Sequence, residues 1–211
     1  MSGPVRARKK KPLYSAHPSL ERVQGMMAKL KERTGKTLEE WVREVIASGP
    51  ATEKERRVWL KEKHRLGTQY AAWIAERAEG KGAEHDSPEA YLKAAEGWVE
   101  AMFAGPRAGL RPVYDRLLEL GFALGPDVKA CPCQTIVPLY RNHVFAQIKP
   151  ATHQRIDFGL ALGALKATGR LIDTGGYAKK DRITHRIPIT CVGEIDAEAE
   201  AWLHKAYEMD A

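Results

Sequence analysis

The chain lacks most of the marks that assign a sequence to a class at sight. No run of 18 apolar residues occurs, so no membrane-spanning helix is predicted. The basic N-terminus has no apolar segment behind it of the kind that directs secretion. Cysteine is scarce: three in 211 residues, an odd number that argues against a disulfide framework. Two of them form Cys131-Pro-Cys133, a spacing too tight for the usual zinc pairing, with no matching second pair. The glycines of Thr174-Gly175-Gly176-Tyr177 do not follow a phosphate-loop pattern. No Ser-His-Asp order, paired carboxylates or His-x-His cluster stands out. These absences predict no metal, no cofactor and no catalytic group, and a cytoplasmic protein with reduced thiols.

Positive charge is present, and it is unevenly placed. The net charge is +7, yet the first eleven residues supply +5 of it through Arg6, Arg8, Lys9, Lys10 and Lys11. Residues 129–186 hold ten Lys/Arg against three Asp/Glu, another +7. The segments on either side are acidic: 83–128 nets −4 and 187–211 nets −5. A basic stretch between acidic ones is the footprint of a surface that receives anions.

The apolar spacing changes near Pro126, from helical period to β-like alternation. Leu20, Val23, Met27 and Leu30 mark a first helix ending near Thr34-Gly35. Thr37 with Glu40, and Thr52 with Glu55, form capping boxes that open two more. Thr68 is placed to cap a fourth. The fourth helix follows a tight Leu66-Gly67 turn, so a helix-turn-helix would present Thr68, Gln69 and Arg77 to DNA. Its outward face is mainly Ala, Tyr, Trp and Ile, which favours packing over base reading.

Beyond a polar linker at 81–86, Ser87 caps a helix that Gly105-Pro106 breaks, and a second helix follows. Strands come next. Val137 and Leu139 share a face with Ala146 and Ile148 if Asn142-His143 is a two-residue turn pairing Arg141 with Val144. Pro138 places that first strand at an edge. Pairing Ile148 with Ile156 and Ala146 with Phe158 continues the core and sets Gln147 opposite Asp157. The opposite face then gathers Tyr140, Phe145, Gln147, Lys149, Arg155 and Asp157, with Arg186 joining from a later strand. His185 has the other parity, that of a packed histidine. A last helix from about Asp196 has early acids and late bases, the order that suits the helix dipole.

The predicted architecture is α+β. A basic, disordered tail (1–16) precedes a small helical bundle (17–80). After the linker, residues 87–211 form two helices, a mainly antiparallel sheet and a C-terminal helix. The texts TGKTLEEW (34–41) and WLKEKHRLG (59–67) resemble a small bacterial helical module of unknown function. The texts FAGPRAGLRPVYD (103–115), FAQIKPAT (145–152), RIDFGL (155–160) and AWLHKAY (201–207) resemble a second uncharacterised bacterial module. The resemblance implies a two-module family and assigns no activity.

On function, the residues favour a non-enzymatic module that binds an anionic partner, with nucleic acid foremost, through the basic sheet face and the tail. Aromatic and cationic groups on one sheet face can stack bases and hold phosphates. The alternative is an enzyme or binder of a small anionic ligand, with Asp157 as base and Lys149 or Arg155 as anchor. A lone carboxylate among cations is poorly suited to acid–base work. A third reading is a protein-interaction adaptor presenting Trp41, Trp59 or Trp73.

Overall fold

The computed structural model describes residues 13–211, and in it five short helices stand where the apolar spacing predicts four. The expected first helix is divided into α1 (Ser19–Ala28) and α2 (Leu30–Thr34). At the break, the Lys29 N–H bonds to the Met26 carbonyl three residues back, at 3.1 Å, a tightened turn. Gly35, at φ 80°, ends α2 in the left-handed conformation that glycine adopts without steric penalty.

Helices α3 (Leu38–Ser48) and α4 (Glu53–Glu62) both open on the predicted capping boxes. The Glu40 N–H donates to Thr37 Oγ1, and the Thr37 N–H donates to Glu40 Oε2 at 2.7 Å. Helix α5 (Thr68–Ala78) departs from expectation. Its cap is Gly67, with extended backbone, and Thr68 is already the first helical residue, making no capping bond. Leu30, Trp41, Val45, Leu60, Ala71 and Ile74 close the core of this bundle. The buried Trp41 indole donates to Thr34 Oγ1 at 2.8 Å, so its polar edge is satisfied.

The bundle belongs to a compact unit of residues 16–94. The segment read as a linker carries a short 3-10 turn, Ala83–His85. Gln24 donates to the backbone carbonyls of His85 and Asp86. The division falls within α6 (Pro88–Met102), whose cap is Ser87: its Oγ accepts from the Ala90 N–H at 3.0 Å.

The second unit takes residues 95–211 together with the described residues 13–15. Tyr14 is buried, its hydroxyl 2.9 Å from that of Tyr114, and the Ser15 N–H donates to the Ala130 carbonyl. The segment read as tail therefore docks from Tyr14 onward. A single tyrosine without periodic neighbours gives no local sign of this. After a 3-10 turn (Gly105–Leu110) comes α7 (Arg111–Ala123), with Pro112 in its first turn.

Six strands follow: β1 (Lys129–Ala130), β2 (Val137–Tyr140), β3 (Val144–Pro150), β4 (Ile156–Leu160), β5 (Ile172–Asp173) and β6 (His185–Ile189). Every pair is antiparallel, in the order β1-β2-β3-β4-β6-β5. Helix α8 (Ala197–Glu208) closes the unit, capped by Asp196.

The predicted β2–β3 register holds from Val137 to Leu139 and then shifts. Leu139 pairs with Ala146 but Tyr140 pairs with Val144, leaving Phe145 as a bulge residue. The two-residue turn is thus replaced by one closed by the Arg141 N–H on the His143 carbonyl. The β3–β4 register slides by two. Ile148 faces Phe158, Gln147 faces Gly159 and Lys149 faces Asp157. An even slide keeps every side chain on its predicted face. Nor is β2 an edge, because β1 pairs with it. Pro138 is tolerated beyond the end of that short strand, where its carbonyl accepts from the Cys131 N–H.

One sheet face is apolar and closed. Val137, Leu139, Ala146, Ile148, Ile156, Phe158, Leu160, Ile187 and Ile189 are all at most 1% exposed. Gly121 of α7 makes room for this face, since a Cβ there would lie 2.6 Å from Leu139 Cδ1. Among the described residues no helix is long and apolar enough to cross a membrane.

The capping boxes give a direct stability test. Thr37→Ala and Thr52→Ala should each lower unfolding free energy by about 1 kcal/mol. Urea titration followed by circular dichroism should register this as a lower midpoint at unchanged slope.

Candidate anion-binding site

The other sheet face is polar, and period-2 alternation puts it there. Along β3, Gln147 is half-buried and Lys149 exposed, between buried Ala146, Ile148 and Pro150. Lys149 lies opposite Asp157 of β4, and Gly159 lies between Gln147 and Arg186 of β6. Asp157 organises the charges. Its Oδ1 accepts from Arg155 Nε and from Arg186 Nη1, each at 2.9 Å. The Asp157 side chain is 18% exposed, against 38% for Arg155 and 30% for Arg186. Both guanidinium groups are thus oriented by one carboxylate while keeping a solvent-facing side.

Lys149 has no ion pair among the described residues, so three cations share one anion. The formal balance of this group is +2. Ion pairs at this exposure contribute only about 0–1 kcal/mol each to stability, so their main effect is orientation. Gly159 sets the floor. A Cβ there would lie 2.7 Å from both Gln147 Cγ and Ile183 Cγ2.

The expected aromatic residues are not beside these cations. Phe145 is fully buried, its ring edge-on to Tyr207 of α8 at 5.6 Å. The bulge is the cause: an extra residue re-aims its side chain, and here it turns Phe145 to the helix. Tyr140 stands at the other end of β2, opposite Lys129. Burial first, then the neighbouring Cys131 and Cys133, push its hydroxyl up to about 12, so it is neutral at physiological pH. The structure brings together Gln147, Lys149, Arg155, Asp157 and Arg186, and leaves out Tyr140 and Phe145.

The tail residues Arg6, Arg8, Lys9, Lys10 and Lys11 lie outside the described residues. In the helical unit, Thr68 and Gln69 are exposed at the start of α5. Arg77 is committed elsewhere. Its two terminal nitrogens meet the Asp86 carboxylate at 3.1 and 2.6 Å, and one also reaches the Gly82 carbonyl. The trio does not form a polar reading surface.

His185 is buried and satisfied, as its parity predicts. Nε2 lies 2.9 Å from the Leu165 carbonyl, which can only accept, so that nitrogen carries the proton. Nδ1 then accepts from Thr184 Oγ1 at 2.9 Å, and the same oxygen accepts from the Leu162 N–H. Both groups serve the fold.

Sequence reasoning missed a cluster around Asp210. This nearly buried carboxylate takes the His143 N–H at 2.8 Å, His143 Nδ1 at 3.0 Å and the Arg182 guanidinium. It ties the β2–β3 turn to the basic loop before β6. Its partners lie 28 and 67 residues away, beyond any local signal. A cleft of about 630 Å³ adjoins that loop, lined in part by Ala161, Gly163, Tyr177, Lys180 and Arg182. None of the five clustered sheet residues lines it.

No group of three or more His, Cys, Asp or Glu suited to a metal occurs among the described residues. Burial pushes the Cys131 thiol up to about 12 and also raises that of Cys133. Cys191 is exposed. Iodoacetamide at pH 7.5 should therefore label Cys191 first, and mass spectrometry should find Cys131 unmodified until the chain unfolds. Early labelling of Cys131 would contradict its burial.

Residues 99–210 match the model of a domain of unknown function, DUF5655, and residues 23–80 match another domain of unknown function, DUF4287. The chain belongs to the DUF5655 family, with a DUF4287 module before it. No curated protein and no solved structure matches it.

Proposed function

We propose that this DUF5655 protein is a non-enzymatic binding module of the cytoplasm whose polar sheet face takes an anionic partner, single-stranded nucleic acid foremost. The observation that carries this reading is the sharing of Asp157 between Arg155 and Arg186, with unpaired Lys149 directly across the strand pair. Two guanidinium groups held in place beside a free ammonium suit phosphate oxygens, which accept several charge-assisted hydrogen bonds at once. With Phe145 buried, stacking contributes little, so binding is governed by backbone phosphates and is tolerant of sequence. The basic tail adds non-specific attraction.

Salt dependence measures the contribution of the sheet. Each phosphate contact to a single strand adds about 0.7 to the log–log salt slope. Lys149→Gln/Arg155→Gln should weaken binding of a labelled oligonucleotide and flatten its slope by about 1.4 if both side chains touch phosphate. A chain lacking residues 1–11 separates the tail: if that deletion abolishes binding and the double substitution changes nothing, the sheet face is not the site.

Asp157→Asn separates binding from catalysis. It removes the resident negative charge, so an anion-binding face should gain affinity, by several-fold in a fluorescence anisotropy titration at low salt. If Asp157 is instead a base acting on a small anion, the same change should abolish turnover without improving oligonucleotide affinity.

A further inference from the structure

The helical unit has a cationic cleft of its own. Arg22, Gly25, Met26 and Lys29 from α1 and its C-terminal end, Arg33 from α2 and Tyr70 from α5 line a space of about 400 Å³. Its three cations come from α1, from the break at Lys29 and from α2, and converge on the one cleft. No carboxylate is among the residues that line it. Glu21 and Glu32 are exposed on the same helices and form no ion pair with these cations among the described residues.

Its charges are also not neutralised within the fold. Lys36, Arg56, Arg57, Arg77 and Lys81 of this unit each meet a carboxylate. Lys31, Arg43, Lys54, Lys61, Lys63, Arg65 and Lys93 form no ion pair among the described residues, so it is the grouping of the three cleft cations on one concave surface that sets them apart. Arg22 has only the Met26 sulfur, at 3.7 Å, and Lys29 and Arg33 have no ion pair among the described residues. Three uncompensated cations converging on one concave surface raise the local concentration of anions.

The rest of the lining is apolar and fixed. The Tyr70 hydroxyl donates to the Met26 carbonyl at 3.3 Å, which holds α5 against α1 and leaves the ring as a wall. Tyr70 also meets Trp73 edge-on at 5.9 Å. Gly25 carries no side chain, and a Cβ placed there would meet nothing within 4 Å. The opening beside it is real space.

We propose that this cleft binds a phosphate ester, its phosphate groups on Arg22, Lys29 and Arg33 and its flat organic part along Gly25, Met26 and Tyr70. A nucleotide has that chemistry, either free or as a unit of a single strand. The cations recognise phosphate through charge-assisted hydrogen bonds, and the tyrosine and methionine cover an aromatic base. This site uses none of the sheet residues and does not depend on the reading of the sheet.

The test titrates the full chain by calorimetry with ATP, and separately with a twelve-residue oligothymidylate, in metal-free low-salt buffer. Arg22→Glu/Arg33→Glu should weaken ATP binding at least ten-fold. Gly25→Leu leaves charge unchanged, projects into the open cleft and improves helix propensity, so it should fold and still lose binding to a similar degree. Lys149→Gln/Arg155→Gln should leave ATP binding intact, which separates failure here from failure at the sheet. If ATP binding is the stronger of the two interactions lost in Gly25→Leu, the source is a free nucleotide; if oligothymidylate is, the source is a strand. Binding of neither probe, or binding that both cleft variants retain, overturns the proposal.

Discussion

The sheet's two faces are kept apart by side-chain parity, and the single surplus residue in β3 decides where that parity breaks. From Ala146 to Pro150 the alternation is regular, apolar toward the helices and polar away from them. At Phe145 the ladder slips by one against β2, and a large ring joins the packing with Tyr207. An odd slip anywhere else along β3 would send Ile148 into solvent and Lys149 into the core. Confined to the strand end, the bulge changes the fate of one side chain. The charged cluster around Asp157 depends on that confinement.

Asp157 illustrates a difference between orientation and strength. Neither of its ion pairs is buried enough to contribute much to stability. Together they hold two long side chains that would otherwise sample many rotamers, a restriction that costs entropy before any ligand arrives. The helical cleft is built on the opposite plan. There no carboxylate is among the lining residues, so no internal anion orients the cations.

Local features of the sequence were legible. The capping boxes at Thr37 and Thr52, the Ser87 cap, the start of the last helix near Asp196 and the alternation of β2 to β4 each rest on residues within a few positions of one another. The two-residue slide between β3 and β4 was not legible, because both registers bury the same apolar set and only loop geometry separates them. The Phe145 bulge brings its ring to a tyrosine 62 residues further on, and Arg77 pairs with Asp86, nine residues on and beyond the end of its own helix, so neither contact shows in a local pattern. Of the candidate site, the cations and Asp157 follow from alternation alone. The loss of its aromatics follows only from tertiary packing.

Tyr14 has a consequence for how the chain is joined. Because residues 13–15 pack with 95–211, the helical unit of 16–94, which holds the N-terminal match at 23–80, has described residues of the second unit on both sides of it in sequence. It is connected covalently at both of its ends. A single cut between residues 80 and 87 would leave the N-terminal fragment still hydrogen-bonded to the C-terminal unit through Tyr14 and Ser15.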